Sequence, residues 1–119
     1  MLPDWYAIKK KERVAYLKKV NSILLKYEKK LTLNSYSTYG VRAETDFMLW
    51  RVSERLEDFE DMTSDLMQTG FGAFVENKYS FLSMTKHSQY VSKNKNVAQE
   101  GIRIKISPKK RKYLIVYPF

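Results

Sequence analysis

Apolar residues follow two rhythms along this chain. From about Lys10 to Lys30 they recur every third or fourth position, as Val14, Leu17, Val20, Leu24 and Tyr27 with Ile23 beside them. That spacing predicts an amphipathic helix, its other face filled with lysines. Lys29 and Lys30 suit the negative end of its dipole, and no Gly or Pro interrupts it. The rhythm then shortens to two. Over Leu31–Gly40, Leu31, Leu33, Ser35, Ser37 and Tyr39 share one face of a predicted strand, with Thr32, Asn34, Tyr36 and Thr38 on the other. Gly40, Arg42, Ala43 and Glu44 form a connection to a second strand over Thr45–Val52. There Met48, Trp50 and Val52 alternate with Phe47, Leu49 and Arg51. Apolar residues on both sides near its start predict that both faces are covered. Ser53 opens a second helix as a favoured N-cap, and Glu54, Glu57 and Asp58 lie near the positive end of the dipole. Leu56, Phe59, Met62 and Leu66 are its apolar stripe, and Gly70 and Gly72 supply the stop. Tyr79–Met84 alternates again and is predicted to rejoin the sheet as a strand.

The elements run helix, strand, strand, helix, strand, behind a turn-like lead-in at Leu2–Tyr6. A ferredoxin-like unit runs β-α-β-β-α-β. The expected fold class is therefore α+β: a ferredoxin-like antiparallel sheet with two helices on one face and its first strand missing from the sequence. Without that strand the sheet has a position left as an edge, or filled by another chain.

Composition narrows the functional classes. A chain of 119 residues builds one domain with a core, and 44% hydrophobic with 14% aromatic residues excludes a disordered tail. No apolar run is long enough to span a bilayer. The absence of cysteine excludes disulfides and thiolate metal sites, and a single histidine, His87, excludes a zinc cluster. A cytoplasmic location is the expectation. The net charge of +9 is segregated: nine basic residues lie in Lys9–Lys30, nine more in Lys86–Lys112, and six acidic ones in Glu54–Asp65. Nucleic acid would need such charge. No recognition motif accompanies it, so a solvated helix face and a basic loop are expected instead.

The words themselves carry more. The run TYGVRAETDFMLWRVSERLEDFEDM, then TGFG, then YSFLSMTKHSQYV, resembles the N-terminal half of the chlorite dismutase family, which includes the coproheme decarboxylases of haem biosynthesis. The closing KYLIVYPF resembles the strand that opens the family's second, haem-carrying half. The resemblance implies half of a dimeric α/β-barrel subunit, organised as a ferredoxin-like N-terminal domain over 1–90, a basic linker over 91–111, and over 112–119 the first strand of a second domain that is missing. It implies a haem- or coproheme-dependent, peroxidase-like oxidoreductase as the parent protein, with haem or iron coproporphyrin bound by the full-length form. The chain alone is expected to bind neither tightly. The resemblance also implies a homo-oligomeric ring, a pentamer being one form.

Candidate chemistry within the chain is sparse. The resemblance places the family's proximal histidine in the second half, so His87 is expected to be a surface residue, and no catalytic residue is assigned. The linker is implied to pass near the haem carboxylates, which makes Arg103, Lys105 and Lys112 the candidate propionate contacts. Glu57, Asp58, Glu60 and Asp61 hold adjacent carboxylates, as an acid–base pair would, but they point away from the Leu56/Phe59/Met62 stripe and read as a solvated face. Thr69-Gly-Phe-Gly lacks the rest of a phosphate loop and reads as a helix stop. Tyr36, Tyr39, Tyr79, Phe81 and Tyr90 are expected to pack in a core or between subunits.

Overall fold

The computed structural model describes residues 1–84 and 111–117. A short helix α1 (Asp4–Ala7) leads into the long helix α2 (Lys10–Glu28). Then come the antiparallel strands β1 (Thr32–Ser37) and β2 (Phe47–Val52), helix α3 (Glu57–Gln68) and a 3-10 turn at Phe71–Phe74. The lead-in expected to be a plain turn is thus helical at Asp4–Ala7, and it buries Trp5.

The strands pair in a single register, Thr32 opposite Val52 through Ser37 opposite Phe47. Residues directly opposite share a face. Leu33, Ser35, Leu49 and Arg51 therefore look one way, and Asn34, Tyr36, Met48 and Trp50 the other. Both helices lie on the Leu33/Leu49 face, as the period-two pattern predicts. At the centre, Tyr27, Leu31 and Met62 are buried and pack with Ile23, Leu24, Leu33, Leu49, Phe59 and Leu66. Met62 has no exposed surface at all. The end of α2 delivers two of these groups together: the Tyr27 carbonyl accepts the N–H groups of Lys30 and Leu31 at 2.9 and 3.0 Å. That tight turn brings Leu31 back over the core one residue before β1 begins.

A second, aromatic cluster closes the other end. Trp5 meets Phe71 edge-on at 5.3 Å between ring centroids, and Phe74 stands 5.5 Å from both Trp5 and Tyr16. Such edge and tilted contacts suit the ring quadrupoles. Gly70 makes this possible. Its φ of 84° is in the left-handed region, and a Cβ there would stand 2.8 Å from Tyr16 Cε1. The helix stop assigned to Gly70 is therefore also where the chain slides beneath an aromatic ring.

Three expectations are corrected. In α2, Val14 and Leu17 remain 42% and 48% exposed. Tyr16 takes their place in packing, because the N-terminal half of the helix meets the aromatic cluster rather than the sheet. Ser53 is not the N-cap of α3, whose first residue is Glu57. Its hydroxyl instead accepts the Arg55 N–H at 3.1 Å and donates to the Asp58 carboxylate at 2.6 Å, which holds a turn just before the helix. Lastly, Tyr79–Met84 joins no strand ladder among the described residues. Its side chains are exposed, Phe81 by 66% and Met84 by 90%.

Candidate functional site

The polar groups that the fold gathers lie between the helices and the sheet. At the α2–α3 junction the Asp65 carboxylate accepts from Lys26 Nζ at 2.7 Å and from the Tyr27 hydroxyl at 3.0 Å. The Lys26 bond, then the Tyr27 bond, hold the Asp65 carboxyl below its ordinary range. The same Asp65 bond raises Lys26. Tyr27 is raised mainly by its burial and next by its bond to Asp65. The cluster is a clasp between two helices, and every member is satisfied within it.

Arg51 is the second polar anchor. It projects from β2 to α3, where one guanidinium nitrogen donates to the Phe59 carbonyl at 3.0 Å and to Thr63 Oγ1 at 2.9 Å. The Thr63 hydroxyl in turn donates a hydrogen bond to the same carbonyl at 2.7 Å. The guanidinium also lies 5.4 Å from the Phe59 ring centroid. Partial burial lowers its pKa from the ordinary arginine value, and it pairs with no carboxylate among the described residues. It pins α3 over the edge of the hairpin.

The opposite face of the sheet is different in kind. Asn34 is 7% exposed, and neither its Nδ2 nor the buried Tyr36 hydroxyl has a hydrogen-bond partner. These two groups lie two residues apart on one strand, so they share that face with Trp50 and Met48. Buried donors without partners are uncommon in a finished fold. Periodicity placed both residues on this face, but nothing in the sequence signals that they stay unsatisfied.

Of the residues singled out for binding, only some lie among the described residues. Arg103, Lys105, His87 and Tyr90 lie outside the described residues. Lys112 is exposed, its ammonium 5.3 Å from the Tyr113 ring centroid. Glu57, Glu60 and Asp61 are exposed on α3, and Asp58 is engaged by Ser53; they form no acid–base pair. Tyr36 is partly buried while Tyr39, Tyr79 and Phe81 stand exposed. No group of His, Cys, Asp and Glu among the described residues could hold a metal ion. Of the three candidate propionate cations only Lys112 is among the described residues.

The sequence and the fold both have counterparts. The family model for chlorite dismutase matches residues 13–119. The chain belongs to the chlorite dismutase family. A curated relative, the chlorite dismutase of Ideonella dechloratans, is 27% identical over 94 residues, which is 79% of this chain and 33% of that protein. The crystal structure of a mutant chlorite dismutase from Candidatus Nitrospira defluvii superimposes with a TM-score of 0.69, covering 93% of this chain and 47% of that one. At 20% identity this second likeness speaks for the fold alone. The chain thus spans a third to a half of the length of these members of the chlorite dismutase family. No helix among the described residues is long and apolar enough to cross a membrane.

Proposed function

We propose that this chain forms the N-terminal, structural half of a haem- or coproheme-dependent oxidoreductase, with peroxide-driven decarboxylation of iron coproporphyrin as its reaction. The observation that carries the reading is the family match over residues 13–119. A structural part is supported by the hairpin, the helix layer and the clasp that the described residues build. In this reading 1–90 is the supporting domain, 91–111 the linker, and Arg103, Lys105 and Lys112 face the propionates. Assembly is a homo-oligomeric ring, in the cytoplasm. Chlorite dismutation is the alternative chemistry within the family.

A second reading is a non-catalytic scaffold, or a half-subunit that pairs with a separate chain. In it the hairpin, the helix layer and the α2–α3 clasp are the whole of what the chain contributes. One experiment separates the two. The native protein is captured from its source cells with an antibody against residues 36–90, weighed intact, and titrated with haem and with coproheme. The oxidoreductase reading expects a mass about twice the 14.2 kDa of this chain, a Soret shift with coproheme, and carbon dioxide release on adding peroxide. Oxygen release from chlorite would instead assign the dismutase chemistry. A mass of 14.2 kDa with no Soret shift for either porphyrin would overturn the oxidoreductase reading and leave the scaffold.

A further inference from the structure

α2 carries two apolar stripes. At about 100° per residue, Tyr16, Ile23, Leu24 and Tyr27 fall on one arc, and that arc meets the core and the aromatic cluster. Val14, Leu17 and Leu25 fall on a separate arc and are exposed by 42%, 48% and 52%. Lysines frame this second stripe. Lys10 lies within its arc, Lys11 and Lys18 lie beside it, and Lys9 and Lys19 flank them; all five are exposed. Glu12 is the one carboxylate in residues 9–20.

The acidic side chains of α3 do not cancel this charge, because the two helices run antiparallel. Asp65 bonds Lys26 and Tyr27, whereas Gly70, just after α3, lies against Tyr16. Glu57, Glu60 and Asp61 precede Asp65 and therefore lie toward and past the C-terminal end of α2. Lys11 stands roughly 24 Å along the axis from Tyr27, at about 1.5 Å per residue. That exceeds two Debye lengths of about 8 Å at physiological salt, so the N-terminal half of α2 acts as a basic surface in its own right. Strands that complete a ferredoxin-like sheet add in the plane of the sheet, beneath α2 and not over this face.

The mixture of cations and apolar groups narrows what the face can meet. Nucleic acid engages the lysines and leaves three apolar side chains without a role. An anionic bilayer surface engages both. Ammonium groups meet headgroup phosphates, while the lysine stems and apolar side chains reach toward the acyl boundary. No helix among the described residues is long and apolar enough to cross a membrane, and a helix charged along its length lies in the surface plane.

We propose that the outer face of α2, over residues 9–25, docks the protein on a membrane surface rich in anionic phospholipid. The helix lies flat at the headgroup level, with Val14, Leu17 and Leu25 turned into the boundary and the lysines on the phosphates around them. The inference stands apart from the haem reading, which has its own spectroscopic test.

Flotation with lipid vesicles tests it. The chain should float with vesicles of equimolar phosphatidylcholine and phosphatidylglycerol, and not with phosphatidylcholine alone. Raising salt from about 0.1 M to about 1 M, which shortens the Debye length from about 10 to about 3 Å, should release it. Lys11→Gln with Lys18→Gln should lower the partition coefficient about thirtyfold, each lysine near such a surface being worth about fivefold. Leu17→Ser should lower it several-fold with the circular dichroism spectrum unchanged, since Leu17 takes no part in the core. The absence of cysteine lets Leu17→Cys carry a polarity-sensitive fluorophore, whose emission should shift blue on the mixed vesicles alone. No flotation, or equal flotation with neutral vesicles, would overturn the proposal. So would a Leu17→Ser chain that binds like the parent while duplex DNA displaces the vesicles, which would assign the face to nucleic acid. A fluorophore at position 17 of the native protein that is already blue, and unmoved by vesicles, would show the face covered within the protein and overturn it too.

Discussion

β2 and the Tyr79–Met84 segment are runs of the same kind with opposite outcomes. Each is six residues long, alternates, and is rich in large apolar groups. β2 pairs along its whole length with β1, whereas the later run lies unpaired with its rings in solvent. Length and alternation do not separate them. What differs is the neighbour. Nine residues join β1 to β2, so the hairpin closes locally and at little entropic cost. The helices that flank it then cover Leu33 and Leu49. Tyr79–Met84 follows α3 and the aromatic cluster, and no strand among the described residues lies beside it. Alternation therefore encodes a capacity to pair; connection length and the presence of a neighbour decide whether it is used.

Four changes break or sharpen this contrast, in descending size. Met62→Ala removes a wholly buried side chain beneath the hairpin and should cost about 2–5 kcal/mol in urea unfolding. Amide exchange in residues 79–84 of the folded protein should be unmoved, since none of them touches that core. Gly72→Ala should follow, at about 1–3 kcal/mol. A Cβ there would stand 2.6 Å from the Met67 carbonyl oxygen, which has nowhere to yield. A free energy within experimental error of the parent would show that the 3-10 turn repacks and that the joint before residues 79–84 is soft.

The third is a comparison of amide exchange. The amides of Met48, Trp50 and Val52, bonded across to β1, should exchange slowly and those of residues 79–84 quickly. Equal protection in the two runs would remove the contrast between them. The smallest effect is that of pH on the α2–α3 clasp. Asp65 is held below its ordinary 3.8, so its stabilisation is present above that pH and is lost as pH falls through the lower folded value. Lys26 and Tyr27 are raised from 10.5 and 10.0; theirs is present below those values and is lost as pH rises past them. Asp65→Asn should flatten the acid limb of a stability–pH curve and lower its alkaline limb toward the parent's loss. An acid limb identical to the parent's would assign it to other carboxylates.

Much of the fold was legible in the sequence because each signal was local. The stripe ending at Tyr27, the alternation through Leu33 and Leu49, the stripe of Phe59, Met62 and Leu66 and the stop at Gly70 all lie where their spacing places them, while Leu56 stands outside α3 and 52% exposed. Misreadings arose where a distant group intervened. Val14 and Leu17 belong to a regular apolar stripe, yet Tyr16 packs instead, because Trp5 and Phe74 assemble beside it from far along the chain. Ser53 has the chemistry of an N-cap, but Asp58 competes for its hydroxyl. The site was less legible. Lys26, Tyr27 and Asp65 meet across two helices and follow no motif. Asn34 and Tyr36 look like ordinary alternating residues, and their missing partners are a property of three-dimensional burial alone. The family resemblance read from TYGVRAETDFMLWRVSERLEDFEDM and the words after it agrees with the family match, since that likeness depends on residue order and not on contacts.

The two tryptophans divide the molecule optically. Trp5 is enclosed by Phe71, Phe74 and Tyr16, while Trp50 stands half-buried beside Asn34 on the sheet face opposite α2 and α3. Their emission should therefore resolve into a blue component from the aromatic cluster and a redder one from the sheet. With Trp5→Phe, the remaining indole becomes a native lamp on the face where polar groups lack partners, and a shift in its colour would register whatever comes to cover it.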